Sequence, residues 1–163
     1  GPSISGTWTP TGNPYMITCD STVPAGQTLT IQPGVEVWIF SNVTFTVNGL
    51  IQAVGTPSQR IKMGISDPWW RGNTIMVNGT AETNRFMYCD FQNADPGLAL
   101  GGSSRNEICY CSFQGMTNGI TMVVNGGSGY MAMTNTALMP AIRQALTLII
   151  ASPPLASLVL SGP

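Results

Sequence analysis

The chain contains two similar copies of one sequence segment, which we call the duplicated phrase, and this repeat limits the possible folds. The segments NRFMYCDFQNADPGLAL and NEICYCSFQGMTNGITM align at a constant shift, from Asn84 with Asn106 to Leu100 with Met122. Each copy holds two short runs of alternating residues separated by Asn, Asp, Pro and Gly, which predicts strand, turn, strand, turn. A unit of this size fits one coil of a parallel β-helix, in which equivalent positions stack about 4.8 Å apart.

The flanking segments continue this pattern with less regularity. TLTIQPGVEV and TFTVNGLIQA align at a shift of 16, which places Thr28 over Thr44, and RIKM and NTIMVNGT each form a short run closed by turn residues. No window combines a helical period with capping residues. The sequence therefore predicts an all-β fold, a parallel β-helix with coils of about 22 residues.

With 163 residues, the chain has the length of one ordinary domain. Residues 1–5 begin with Gly-Pro and are interpreted as a cleavage scar and a flexible start. Residues 6–163 are predicted to form one β-helix domain, in which residues 6–27, around Trp8 and Tyr15, cap the N-terminal end. Residues 126–163 are predicted to form irregular coils, because the pattern continues there only with small insertions.

Composition narrows the range of functions. Charged residues make up 8% of the chain, with six basic and seven acidic side chains and no histidine. The scattered basic residues argue against nucleic-acid binding and against a polybasic membrane patch. The lack of histidine removes the commonest general base and metal ligand, so neither a cofactor nor a metal site is predicted. The most apolar stretch, residues 145–160, contains two prolines and is too short to span a membrane as a helix.

Most of the chain resembles a known family. SGTWTPTGNPYMITCDSTVPAGQTLTIQPGVEVWI, FTVNGLIQAVGTPSQRIKM and WWRGNTIMVNGT are similar to the cap and early coils of secreted bacterial β-helix proteins of the pectin-lyase-like superfamily, and YCDF and YCSF resemble their later coils. The resemblance covers residues 6–125. It implies a right-handed parallel β-helix and a secreted or cell-surface location in a bacterium. It implies no particular activity, because this fold carries both enzymes and non-enzymes.

An enzyme on this fold needs acidic residues in a defined arrangement. The family's polysaccharide lyases gather calcium with acidic residues, and glycoside hydrolases place two carboxylates across a cleft. Here no two acidic residues occupy the same position in aligned coils, and Asp90 and Asp95 are the nearest pair on one coil. Asp95 precedes Pro96, where turn chemistry is a simpler interpretation. Asp90 and Asp95 are therefore the catalytic candidates, set against a structural role for both.

Three of the four cysteines cluster in the repeat. Cys89 and Cys111 occupy the same position in adjacent coils, and Cys109, two residues before Cys111, is predicted to share their inward face. With three thiols and no histidine, the cluster fits small buried side chains better than a closed zinc site. Stacked cysteines approach disulfide distance in a poor orientation, so the redox state of all four, including Cys19, is left open.

The opposite face of the repeat is predicted to point outward. Strand alternation places one tyrosine and two polar side chains on this face in each copy: Tyr88, Asp90 and Gln92 in the first, and Tyr110, Ser112 and Gln114 in the second. Flat aromatic rings flanked by hydrogen-bonding groups suit contact with a sugar chain. Packing between stacked aromatic residues of neighbouring coils explains the same pattern, and the sequence leaves both alternatives open.

These observations favour a non-catalytic extracellular or cell-surface module, structural or adhesive, that contacts polysaccharide through the tyrosine face. A polysaccharide lyase or glycoside hydrolase of the pectin-lyase-like superfamily is the alternative. The apolar segment LASLVLSGP at residues 155–163 contains no capping helix. An uncovered sheet edge at that end predicts either further coils or self-association.

Overall fold

The chain forms a solenoid of short parallel strands. The computed structural model describes residues 1–66, 75–78, 82–101, 104–116, 118–125, 130–134, 136–138, 144–152 and 157–161. Within these ranges lie nineteen β-strands and a 3₁₀ turn at Pro10–Gly12. The strands fall into three sheets, and the pairings between neighbouring strands are parallel.

Successive strands along the chain belong to successive sheets, so the chain winds around a three-sided core. The first sheet contains, in spatial order, β1 (Gly6–Trp8), β4 (Thr28–Ile31), β7 (Leu50–Val54), β10 (Thr83–Met87), β13 (Arg105–Cys109), β16 (Tyr130–Thr134) and β19 (Ser157–Ser161). The second contains β2 (Tyr15–Ile17), β5 (Glu36–Ile39), β8 (Ile61–Ile65), β11 (Cys89–Gln92), β14 (Ser112–Gln114) and β17 (Ala137–Leu138). The third contains β3 (Ser21–Val23), β6 (Phe45–Val47), β9 (Ile75–Val77), β12 (Leu98–Leu100), β15 (Asn118–Asn125) and β18 (Gln144–Ser152).

The duplicated phrase places one coil directly on the next, as predicted. Asn84 of β10 lies opposite Asn106 of β13, and the same shift along the sequence relates β11 to β14 and β12 to β15. The predicted all-β parallel solenoid is therefore confirmed. Its right-handed sense stays a prediction.

Two details of the predicted coil are wrong. Each coil of the repeat has three strands and not two, because the run NRFMYCDFQ is broken at Tyr88 into β10 and β11. The alignment at a shift of 16 also fails: Thr28 of β4 lies opposite Leu50 of β7, whereas Thr44 precedes β6 in the third sheet. All three sheets bury alternate residues, so strands from different sheets share a sequence pattern without stacking on one another.

The core is a set of ladders of inward side chains. Phe91 and Phe113 lie opposite each other on β11 and β14, with ring centroids 4.6 Å apart and planes 7° apart. On the third sheet, Leu98 lies opposite Ile120, and both are fully buried. Burial of each such side chain contributes roughly 1.5–3 kcal/mol, and aromatic stacking adds about 0.5–1.5 kcal/mol. Alternation of apolar and polar residues therefore decides which side of each coil faces inward.

One inward ladder is polar. Asn84 and Asn106 are both fully buried in the first sheet. The Asn84 side chain accepts a hydrogen bond from the Ile51 N–H of the preceding coil at 3.0 Å and donates one to the Arg105 carbonyl of the following coil at 3.1 Å. Asn84 therefore joins three coils through backbone groups, which an apolar side chain at this position cannot do.

At the N-terminal end of the solenoid, two aromatic side chains pack against the core. Residues 6–27 supply β1, β2 and β3, the outermost strands of the three sheets at this end. The Trp8 and Tyr15 rings stack at 4.5 Å, and Trp8 also lies 6.4 Å from the Phe45 ring. Before β1, the Ile4 N–H donates to the Thr22 carbonyl at 2.8 Å, so residue 4 is tied to β3.

The C-terminal coils are longer than those of the central repeat. On the first sheet, Arg105 of β13 lies opposite Tyr130 of β16, and Tyr130 lies opposite Ser157 of β19. Each of these two coils contains more residues than the coil from Thr83 to Arg105. The pairing of β15 with β18 shifts register between Val124 and Asn125. Strand stacking thus continues through the described strands after residue 125, with added residues between them.

Candidate functional site

Tyr88 and Tyr110 lie at equivalent corners between the first and second sheets, in adjacent coils. Tyr88 joins β10 to β11, and Tyr110 comes between β13 and β14. Their rings stack with centroids 4.7 Å apart and planes 6° apart. This distance matches the spacing of neighbouring strands, so the stack follows from the coil repeat. Tyr110 is 38% exposed, which places the stack at the protein surface.

Both tyrosines adopt a backbone conformation that residues other than glycine rarely use. Their φ angles are 51° and 55°, in the left-handed region, where a residue with a Cβ is disfavoured by roughly 1–2 kcal/mol. The backbone is held by hydrogen bonds from the Tyr88 N–H to the Cys109 carbonyl and from the Tyr110 N–H to the Thr134 carbonyl. Non-glycine residues held in this region concentrate at functional sites, so this corner is a candidate functional site.

The corner also corrects the prediction for Cys109. Cys111 is 1% exposed and faces the core, whereas Cys109 is only half-buried. The left-handed residue Tyr110 lies between them and changes the direction of the chain, so two positions that strand alternation places on one face do not share it. Two cysteines, Cys89 and Cys111, therefore face inward, and the predicted cluster of three is wrong.

Arg60 completes the site, although the sequence analysis did not select it. Its Nε donates to both carboxylate oxygens of Asp90, at 2.8 and 3.0 Å, and its Nη2 lies 2.7 Å from Asp90 Oδ1. Nη2 also donates to the Tyr110 carbonyl at 2.8 Å, and the guanidinium carbon lies 5.9 Å from the centroid of the Tyr88 ring. Arg60 thus links the coils that carry the two tyrosines. We refer to Arg60, Tyr88, Asp90, Tyr110 and Ser112 as the tyrosine corner.

Asp90 is the centre of this hydrogen-bond network. Ser112 Oγ donates to Asp90 Oδ1 at 2.6 Å, so the carboxylate is bound from the preceding coil by Arg60 and from the following coil by Ser112. Partial burial opposes ionisation of Asp90, but the hydrogen bonds from Arg60 and Ser112 outweigh it and hold the pKa below its ordinary value. The same ion pair raises the pKa of Arg60, against the opposing effect of its burial. The corner therefore carries a fixed, ionised pair.

Three further residues were predicted to belong to the site: Gln92, Gln114 and Asp95. Gln92 and Gln114 are opposite each other on β11 and β14 and are half-buried, on the same strands as Asp90 and Ser112. Asp95 lies beyond β11, in the connection to β12, and is half-buried. The structure thus brings the six predicted ligand-binding residues together in two coils: Tyr88, Asp90 and Gln92 in one, and Tyr110, Ser112 and Gln114 stacked on them in the next.

Further charged pairs lie on the sheets that meet at the tyrosine corner. Lys62 of β8 pairs with Glu36 of β5 at 2.8 Å on the second sheet, and in register Lys62 lies opposite Asp90. On the first sheet, Arg85 pairs with Glu107 at 2.9 Å. The hydrogen bond from Lys62 lowers the pKa of Glu36, with burial acting in the opposite sense. Both sheets therefore carry paired charges of opposite sign.

The arrangement suits hydrogen bonding better than proton transfer. Both Asp90 oxygens accept hydrogen bonds, and a lowered pKa makes the group a poor general acid at neutral pH. One face of each tyrosine ring is taken up by the stack, so the ring edges and the exposed part of Tyr110 are the surfaces that an outside molecule can reach. Fixed rings beside amide and hydroxyl groups form a rigid contact surface, because little side-chain entropy remains to be lost on binding.

The cysteines are free thiols. Cys89 and Cys111 are buried, and Cys19 is exposed. The Cys111 thiol donates to the Phe86 carbonyl at 3.2 Å, and the Cys89 thiol lies 3.5 Å from the Ala53 carbonyl. Burial raises the pKa of Cys89 well above its ordinary range, and the neighbouring Cys111 thiol adds to this effect. Both inward cysteines therefore behave as small core side chains.

In the ranges that the structure covers, no group of three or more His, Cys, Asp or Glu side chains is arranged to hold a metal ion. Over the same ranges, no helix has the length and apolar character needed to cross a bilayer.

Comparison with known proteins gives one partial similarity. A segment of 49 residues is 43% identical to part of Protein bark beetle of Drosophila melanogaster. This segment makes up 30% of this chain and 2% of the Drosophila protein. The chain thus matches only a small part of this much longer relative. No protein-family profile matches the chain, and no solved structure matches it.

Proposed function

We propose that this chain is a non-catalytic β-helix module of an extracellular or cell-surface protein, structural or adhesive, that contacts polysaccharide through the tyrosine corner. The observation that carries the proposal is the outward stack of Tyr88 on Tyr110, locked by the Arg60–Asp90 pair. Rigid aromatic and hydrogen-bonding groups on the outside of a solenoid present the kind of surface that a sugar chain contacts. The right-handed sense, the membership in the pectin-lyase-like superfamily and the bacterial source are proposed with it, on the sequence resemblance alone.

The state of Asp90 favours a non-catalytic role over the lyase or hydrolase alternative. A catalytic acid needs a raised pKa, and a nucleophilic carboxylate needs an oxygen directed at the substrate. Asp90 instead has a lowered pKa, and Arg60 and Ser112 bind its oxygens. These features support a structural role for the carboxylate.

Self-association through the C-terminal edge belongs to the same proposal. Among the described strands, β17, β18 and β19 each have a partner on one side and lie outermost in the three sheets. Parallel edges of this kind bind a further strand readily. Sedimentation of the purified chain over a range of concentrations tests this part: a concentration-dependent mass supports it, and a constant monomer mass contradicts it.

Affinity electrophoresis tests the proposed binding. The protein is run through gels that contain single plant or bacterial polysaccharides, and each gel is then assayed for unsaturated products and new reducing ends. Retardation without products is expected. Formation of products would overturn the non-catalytic assignment, and Asp90→Asn and Asp95→Asn would then identify the carboxylate responsible.

A matched pair of variants localises the contact. Tyr88→Ala combined with Tyr110→Ala is expected to abolish retardation. Phe40→Ala removes an aromatic ring that is 40% exposed after β5, away from the corner, and is expected to leave retardation unchanged. If the tyrosine variant and Phe40→Ala changed retardation equally, the tyrosine corner would not be the binding surface.

A further inference from the structure

We infer that the polysaccharide bound at the tyrosine corner is an uncharged one, an inference that rests on the proposed function and narrows its ligand class. The inference comes from the charge arrangement of the two sheets that meet at the corner. On and beside these sheets, Arg60, Lys62 and Arg85 each have a carboxylate partner. A fourth cation, Arg105, begins β13 at the end of that strand away from Tyr110.

These three pairs carry no net charge that would attract an acidic chain. Arg60 lies 2.7 Å from Asp90, Lys62 is 2.8 Å from Glu36, and both acidic partners are held ionised by these contacts. A carboxylate on a sugar would have to approach Asp90 or Glu36 and compete with them for the same cations. Like charges at such distances repel, and displacement of an existing pair returns little free energy.

The neutral groups of the corner point to the same ligand class. Ser112 and the in-register pair Gln92 and Gln114 lie on β11 and β14 beside the stacked rings. The glutamine amides can both donate and accept, and Ser112 Oγ, which donates to Asp90, can still accept, which matches the hydroxyl groups of an uncharged sugar. The Arg60 side chain is 31% exposed, and its strongest contacts are to Asp90 and the Tyr110 carbonyl, so its role is to fix the corner.

The test uses one polymer backbone in two charge states. Affinity gels contain fully methyl-esterified homogalacturonan, the same polymer after removal of the esters, or the neutral polymers xyloglucan and galactomannan. We expect retardation in at least one uncharged gel, of equal size at low and high salt, because screening acts on charges and not on neutral hydrogen bonds. Stronger retardation in the de-esterified gel, weakened by salt, would overturn this inference and leave polysaccharide binding intact. Lack of retardation in every gel would overturn the proposed function and this inference together.

A charge variant adds a gain-of-binding test. Asp90→Asn keeps the shape of the side chain but leaves Arg60 without its carboxylate, so retardation by the de-esterified polymer should increase roughly tenfold, the effect of one hydrogen bond to a charged group. Asp20→Asn changes the net charge by the same amount far along the chain, where Asp20 accepts from the Thr44 N–H, and should have no such effect. Equal gains from both variants would assign the effect to net charge and contradict the inference, as would no gain from either.

Discussion

The guanidinium of Arg60 lies 2.7 Å from the carboxylate of Asp90, in the next coil, and this contact fixes the outer corner of two adjacent coils. The same guanidinium reaches the Tyr110 carbonyl, so one side chain connects the strand that carries Asp90 to the coil after it. The stack of Tyr88 on Tyr110 forms against this connection. Stability and the proposed ligand contact at this surface therefore depend on the same few residues.

Replacement of Arg60 by alanine should lower the free energy of unfolding by about 1–3 kcal/mol. The change removes the hydrogen bonds of Arg60 to the Tyr110 carbonyl and to the partly buried Asp90 carboxylate, which keeps only its hydrogen bond from Ser112. Lys62→Ala is the matched control, because the Lys62–Glu36 pair is more exposed and should contribute about 0–1 kcal/mol. Urea unfolding followed by circular dichroism measures both values. Equal losses in the two variants would contradict a special role for Arg60.

Asp90 should make the protein sensitive to acid. Its pKa is lower in the folded chain than the value of about 3.9 expected after unfolding. Its contribution to stability is therefore present above that unfolded value and is lost as the pH falls through the folded pKa. The difference in urea midpoint between the wild type and Asp90→Asn should be largest near neutral pH and shrink in acid. A difference that is constant with pH would show that the charge of Asp90 does not contribute.

The two buried asparagines should differ in importance. Asn84→Ala leaves the Ile51 N–H and the Arg105 carbonyl without their partner and should cost about 2–4 kcal/mol. Asn106 donates to Ser104 Oγ at 2.8 Å, but no group in the described part of the chain donates to its Oδ1. Asn106→Ala should therefore cost less, about 1–2 kcal/mol. Equilibrium unfolding of the two variants gives the comparison, and a larger loss for Asn106→Ala would contradict the assignment.

The cysteines should differ in reactivity according to their burial. Iodoacetamide should modify the exposed Cys19 in the folded protein, whereas Cys89 and Cys111 should react only after unfolding. Peptide mass spectrometry of native and urea-unfolded samples separates the sites, and Cys19→Ser serves as the control for the fast reaction. Rapid modification of Cys89 in the native protein would show that the core around it opens easily.

The sequence predicted those features that depend on the duplicated phrase. Equal spacing brought Tyr88 over Tyr110 and placed Asp90 beside Ser112, and the alternation of apolar and polar residues marked Phe91 and the cysteine at position 89 as inward. These features follow from short-range pattern, because coils of equal length stack identical positions.

Arg60 was missed because its coil differs in length. Ile61 of β8 lies opposite Cys89 of β11, whereas Cys89 and Cys111 are related by the shorter coil of the duplicated phrase, so that repeat cannot bring Arg60 to Tyr88. The signal that could have found it is the alternation in RIKM, aligned by pattern on YCDF without a fixed period, which places Arg60 at the position of Tyr88. The inward direction predicted for Cys109 was wrong because alternation does not continue through a residue in the left-handed region. Tyrosine rarely adopts this conformation, so the sequence gives no sign of the corner at Tyr110.

Hydrogen–deuterium exchange with and without xyloglucan or galactomannan, whichever retards the protein, tests most directly whether the tyrosine corner is the binding surface. We predict slower exchange on binding for amides in residues 88–92 and 110–114, with the strands of the third sheet unchanged. Protection confined to the third sheet or to the N-terminal strands, with residues 88–92 and 110–114 unaffected, would contradict this account.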